Sequence, residues 1–157
     1  MISYRKDAKT RRVQSKIYRS GVIEVKSYNM QKQEFENYAR EILDSSIMVH
    51  KEMGPGLLES VYQFCLVEEL RSRNVYVEEQ VSIPLFYRGR PLDKDFRIDV
   101  LFAKEIIIEL KSVEFLLPVH EAQIISYLKL ANKRLGFLIN FNVPLLKSGF
   151  RRFVNNY

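Results

Sequence analysis

Asp99, Glu109 and Lys111 are set into the least polar stretch of the chain, and three charges in such surroundings restrict what that stretch can become. Ile98, Val100, Leu101 and Phe102, then Ile106, Ile107, Ile108 and Leu110, predict two strands joined by a tight turn at Ala103-Lys104. Side chains alternate along a strand, so Glu109 and Lys111 share one face while Ile108 and Leu110 share the other. Pairing of the two strands brings Asp99 to the face of Glu109. An unpaired buried carboxylate costs several kcal/mol or takes up a proton, and two side by side also repel. A divalent cation relieves both effects. Mg²⁺ suits such a place, because it takes oxygen ligands, retains waters and uses one or two protein carboxylates. Lys111, one pleat away, can hold a water or offset charge on a phosphate. The same residues also fit a solvated ion pair at a strand end, and the spacing alone does not separate the two readings.

The rest of the chain supplies elements around these strands. Phe35, Tyr38, Ala39, Ile42, Val49 and Met53 recur at helical spacing from Gln33 to Met53, and Gly54-Pro55-Gly56 stops that helix. A second helix is expected from about Leu58 to Ser72, with Leu58, Val61, Tyr62, Cys65, Leu66 and Leu70 on its apolar side. Glu59 falls in its first turn, where the helix dipole favours a carboxylate whatever its role. Val75 to Tyr87 reads as a strand interrupted near Pro84, followed by a turn at Arg88-Gly89-Arg90-Pro91. Pro118 can open a third helix, on which Gln123 and Tyr127 share a face. Gly136 to Phe141 reads as a buried strand, and Asn142-Val143-Pro144 leads into a short terminal helix through Phe150 and Phe153. Helices before the strands and a crossover helix before the last one predict an α/β fold with a mixed central sheet.

The Asp99, Glu109-Leu110-Lys111 pattern resembles the PD-(D/E)xK nuclease superfamily. Gly54-Pro55-Gly56-Leu57-Leu58-Glu59-Ser60-Val61-Tyr62 is similar to the signature of its small GxxExxron branch. Val49-His50-Lys51-Glu52, Arg97-Ile98-Asp99, Pro118-Val119-His120-Glu121-Ala122-Gln123 with Tyr127-Leu128-Lys129, and Gly136 to Asn142 match in the same order. The similarity runs from about Phe35 to about Phe153. It implies a restriction-endonuclease-like core of αβββαβ type and a metal-dependent phosphodiesterase, with DNA as the expected substrate. Asp99, Glu109, a carbonyl near Leu110 and Glu59 would surround Mg²⁺ or Mn²⁺. Lys111 would position the attacking water, and Gln123 and Tyr127 would align the lysine or the phosphate.

Charge divides the chain in two. Residues 1–32 hold nine basic side chains against two acidic ones, whereas the remainder carries 16 against 17, so the overall charge of +6 belongs to the leader. We expect a basic, flexible leader over 1–32, absent if translation starts at Met30, and one nuclease-like domain over 33–157. Clustered Lys and Arg are what bind nucleic acid non-specifically, and in the body only Arg71, Arg73, Arg88 and Arg90 suggest a local patch. A single cysteine, Cys65, excludes an internal disulfide and is expected in the core. No apolar run is long enough for a membrane span, and a cytoplasmic protein without membrane partners is expected. A protein partner or homodimer stays open. His50 and His120 are the only histidines, and no Cys/His cluster has zinc spacing. His50 is placed on a helix face and His120 at the rim of the site. P-loop, dinucleotide-binding glycine and nucleophile-elbow patterns are missing. A non-catalytic module that keeps this fold is the rival reading.

Overall fold

Phe35, Ile42 and Val49 are buried along one stripe of α1 (Lys32–Met53), two helical turns apart each time. The computed structural model describes residues 32–156; the leader expected over 1–32, apart from Lys32, and the alternative start at Met30 lie outside the described residues. Gly54 and Gly56 end the helix with φ of 69° and 94°, backbone that costs glycine little. The Tyr62 hydroxyl pins this turn, donating to the Gly54 carbonyl at 2.6 Å and accepting from the Leu57 N–H at 3.0 Å. Its ring stacks on Phe141 with centroids 4.6 Å apart. α2 (Glu59–Ser72) therefore starts at a position set by the core. Leu58 corrects the expected apolar side of α2, because it is the N-terminal cap and 74% exposed. Cys65 is half-buried, short of the core position expected for it.

Five strands follow, β1 (Val77–Tyr87), β2 (Arg90–Phe102), β3 (Ile106–Lys111), β4 (Leu135–Asn140) and β5 (Phe150–Val154), lying in that order across one sheet. Neighbours are antiparallel except β3 and β4, which are parallel and linked by α3 (Pro118–Leu130), as a parallel pair requires. β3 and β4 are buried on both faces, which explains the apolar runs Ile106 to Ile108 and Leu135 to Ile139. Ala103 and Lys104 turn the β2–β3 hairpin with φ of 52° and 61°. β1 breaks register between Pro84 and Phe86, as the proline suggested. The turn read as Arg88 to Pro91 is shorter: strand resumes at Arg90, paired with Tyr87.

The terminal helix expected through Phe153 is confined to α4 (Leu146–Gly149), and the chain then forms β5 against β4. Phe150 and Phe153 are three apart, a spacing that suits a helix face, but here they occupy opposite faces of a strand. Phe150 meets Phe137 at 5.0 Å, and Phe153 packs against the cluster beneath α3. β4 without β5 would leave a central strand with an unpaired edge. Gly149 permits the close turn, since a Cβ there would strike the Asn140 carbonyl. The fold is thus α/β, a mixed five-stranded sheet flanked by helices, with the expected αβββαβ series inside it.

Candidate metal-binding and catalytic site

β2 and β3 pair at Phe102 with Ile106, Leu101 with Ile107 and Val100 with Ile108. One step further, Asp99 and Glu109 stand opposite each other and the backbone ladder gives way to side chains. The Asp99 N–H donates to the Glu109 carboxylate at 3.3 Å, and the Leu110 N–H donates to the Asp99 carboxylate at 2.9 Å. Glu109 is 1% exposed. Burial, reinforced by the charge of Asp99 and opposed by Lys111, pushes its pKa up to about 9. The neighbouring strand is deformed here. Ile98 and Leu101 join the same core cluster although three residues apart, which regular alternation forbids. Gln80, the residue of β1 facing Asp99, has a φ of 51° and is skipped between the Glu79–Val100 and Val81–Ile98 pairs.

α2 brings the third carboxylate. Burial raises the pKa of Glu59; Lys111 pulls it back and Asp99 pushes it up again, with smaller lowering by the Ser112 N–H, to which it is hydrogen-bonded, and by His120. Glu59 and His120 therefore lie within electrostatic reach of the strand-borne group. The Ser112 hydroxyl donates to the Leu57 carbonyl at 2.5 Å, tying the exit of β3 to the entry of α2. Lys111 ends β3 beside Asn140 of β4. The buried Asn140 amide accepts from the Val113 N–H at 3.0 Å and donates to the Val113 carbonyl at 2.8 Å, which holds the chain just past Lys111.

α3 closes the site from the side. Pro118 sits in its first turn, and His120 caps it by accepting the Leu117 N–H at its Nδ1, 3.1 Å away. Gln123 donates from its amide to the Tyr127 hydroxyl at 2.8 Å. Tyr127 is 4% exposed and its ring lies 5.1 Å from Phe96. Its pKa is raised by burial, moderated by Gln123 and reinforced by Glu109 and Asp99. The tyrosine is thus a core aromatic whose hydroxyl faces the acids. His50 is elsewhere, a buried ring bonded to the Val143 carbonyl at 2.7 Å.

The structure brings together the residues singled out from the sequence: Asp99, Glu109, Leu110, Lys111, Glu59, Gln123 and Tyr127, with His120 near Glu59. Among the described residues no three His, Cys, Asp or Glu side chains converge closely enough to hold an ion alone. Asp99 and Glu109 still fit a hard cation, for a nearly inaccessible carboxylate beside a second acid is what such an ion would relieve. Sequence reasoning missed Gln80, Ser112 and Asn140. Asn140 did carry a signal, a polar side chain ending an apolar strand, yet nothing local named its partner.

A family model describing the PD-(D/E)XK nuclease superfamily matches residues 36–153. No curated protein and no solved structure matches the chain. The match spans most of the sequence and encloses the two acids and the lysine on adjoining strand segments; the chain belongs to the PD-(D/E)XK nuclease superfamily.

Proposed function

We propose that this protein is a metal-dependent phosphodiesterase of the GxxExxron branch, acting on DNA, with its centre at Asp99, Glu109 and Lys111. The observation that carries the reading is the Asp99–Glu109 pair, two acids pressed together at the end of a ladder with a lysine one pleat away. Mg²⁺ or Mn²⁺, bound there, would polarise the phosphodiester and lower the pKa of the attacking water. Asp99 and Glu109 would hold it with a backbone carbonyl near Leu110, and Glu59 would flank the open side. Lys111 orients the water for attack on phosphorus and offsets the charge that gathers on the non-bridging oxygens as the ester oxygen leaves. Gln123 fixes the Tyr127 hydroxyl, which is left free to donate toward the acids or the phosphate.

No helix of the described residues is long and apolar enough to cross a membrane, and the reading places the protein in the cytoplasm. The test is cleavage of linear, circular, single-stranded and branched DNA and RNA with Mg²⁺ or Mn²⁺, comparing the wild type with Lys111→Ala. DNA cleavage by the wild type that the variant loses supports the reading. A folded, metal-binding wild type that cleaves nothing would replace it with a non-catalytic module on the same fold.

A further inference from the structure

β1 and β2 run on well past the sheet. β3 covers β2 only from Val100 to Phe102, whereas β1 and β2 stay paired out to Tyr87 and Arg90. Pro84 to Arg97 is therefore a two-stranded ribbon with no third strand beside β2, roughly 15 Å long from the Ser82–Arg97 pair to the Tyr87–Arg90 pair at the usual rise per residue. Every residue from Phe86 to Arg97 is exposed, including the large apolar side chains of Phe86 (63%) and Tyr87 (61%).

Its cations are free of the carboxylates that hold several other arginines of the body. Arg71 and Arg73, candidates for a basic patch, are already occupied by Glu68, Glu79 and Glu69, and Arg151 and Arg152 by Glu121 and Glu36. Arg88, Arg90, Lys94 and Arg97 make no ion pair among the described residues; Arg88 lies over the Tyr87 ring at 5.4 Å. Alternation separates Lys94 and Arg90 from Asp93 and Asp95. Phe96 touches Tyr127, and Ile83, its partner in the ladder, joins the α3 cluster, so this face of the ribbon turns toward the site helix. Lys94 and Arg90 follow Phe96 on that face, while Asp93, Asp95 and Arg97 fall on the reverse.

We propose that the Pro84–Arg97 ribbon is an arm that lies in the major groove of duplex DNA, its Arg90–Lys94 face and Arg88 tip holding the phosphates beside the Asp99–Glu109 centre. The inference rests on the nuclease reading for its place in a reaction, though not for its test. A protruding ribbon fits a duplex groove about 12 Å wide, whereas single strands are bound in concave channels. The unpaired cations supply the phosphate contacts, and exposed Tyr87 and Leu92 can meet thymine methyl groups.

The experiment measures binding of a fluorescent duplex to the full chain in EDTA at several salt concentrations. It compares the wild type with Arg88→Ala/Arg90→Ala/Lys94→Ala and with a control, Lys51→Ala/Lys129→Ala/Lys147→Ala. Comparison within the full chain cancels any contribution from basic residues before Gln33, and circular dichroism verifies folding. The ribbon variant should bind at least about tenfold more weakly, with a salt slope smaller by roughly 2–3, while the control stays close to wild type. Equal losses in both variants, unchanged binding in the ribbon variant, or equal competition by single-stranded DNA would overturn the proposal. So would a wild-type dimer that the ribbon substitutions dissociate without altering DNA affinity. Binding is read without metal, so a protein that grips duplex through the ribbon yet cleaves nothing retains the arm and loses only the nuclease.

Discussion

Asp99 and Glu109 each satisfy a backbone N–H on the opposite strand, Asp99 that of Leu110 and Glu109 that of Asp99 itself. The two acids thus close the ladder where β2 and β3 part, each anchoring the other's strand. Structural and chemical roles overlap in the same four oxygens, so the choice of substitution decides which role is tested.

Asp99→Asn keeps an acceptor for the Leu110 N–H, whereas Asp99→Ala leaves that donor unpaired at a cost of about 1–3 kcal/mol. We expect Asp99→Asn to lose metal-dependent cleavage by at least about 100-fold, the scale of removing one positioned electrostatic group, while melting near the wild-type temperature. Cleavage assays paired with thermal melts check this. Unfolding of the asparagine variant would mark the pair as structural.

The pH dependence follows from Glu109. Its folded pKa of about 9 lies above the ordinary 4.5, so between those values the folded state holds a proton that the unfolded state has released. Its neutral form supports the fold fully below about pH 4.5, and that support is lost as pH rises toward 9. The metal-free wild type should therefore lose melting temperature from pH 6 to 9 more steeply than Glu109→Gln, which cannot ionise.

Metal binding has the opposite sign. A cation needs the ionised carboxylate, so affinity should rise by about tenfold per pH unit through this range, with roughly one proton released per ion bound. Calorimetry at pH 7 in buffers of different ionisation enthalpy measures that proton. Release of none would show that Glu109 is already ionised or is not a ligand.

Gln123 and Tyr127 share one hydrogen bond, so their substitutions should not be additive. Tyr127→Phe and Gln123→Ala are each expected to lower kcat by about 10-fold with little change in KM, and the double variant should fall little further. A multiplicative loss near 100-fold would mean that the two act separately.

Asn140→Ala removes both bonds that hold Val113. Unpaired backbone groups at this half-buried site should cost about 2–4 kcal/mol and loosen the chain beyond Lys111. Chemical denaturation measures the first effect, and faster amide exchange over residues 112–117 the second. Unchanged exchange would mean that the Ser112–Leu57 bond is sufficient by itself.

The strands carrying Asp99 and Glu109, their turn at Ala103-Lys104, the stop at Gly54-Pro55-Gly56 and the start of α3 at Pro118 were all legible in the sequence. Each depends on neighbours within a few residues, where apolar period and the backbone preferences of glycine and proline act directly. The Asp99–Glu109 encounter was legible too, because a tight hairpin converts spacing along the chain into register. Phe150 to Val154 was not. A short segment with aromatics three apart satisfies helix and strand alike, and the unpaired edge of β4 makes the choice.

Tertiary structure also decided what these groups became chemically. The sequence alone supplied the acids, the lysine and their family pattern, but burial of Glu109 depends on β4, α3 and the core around them. Ser112 reaches Leu57, Asn140 reaches Val113 and Gln80 comes opposite Asp99 only because distant segments pack together. Local preference selects a backbone within a few residues, whereas a pKa, a clamp or an exposed ribbon is set by what surrounds a side chain in space, which no local pattern encodes.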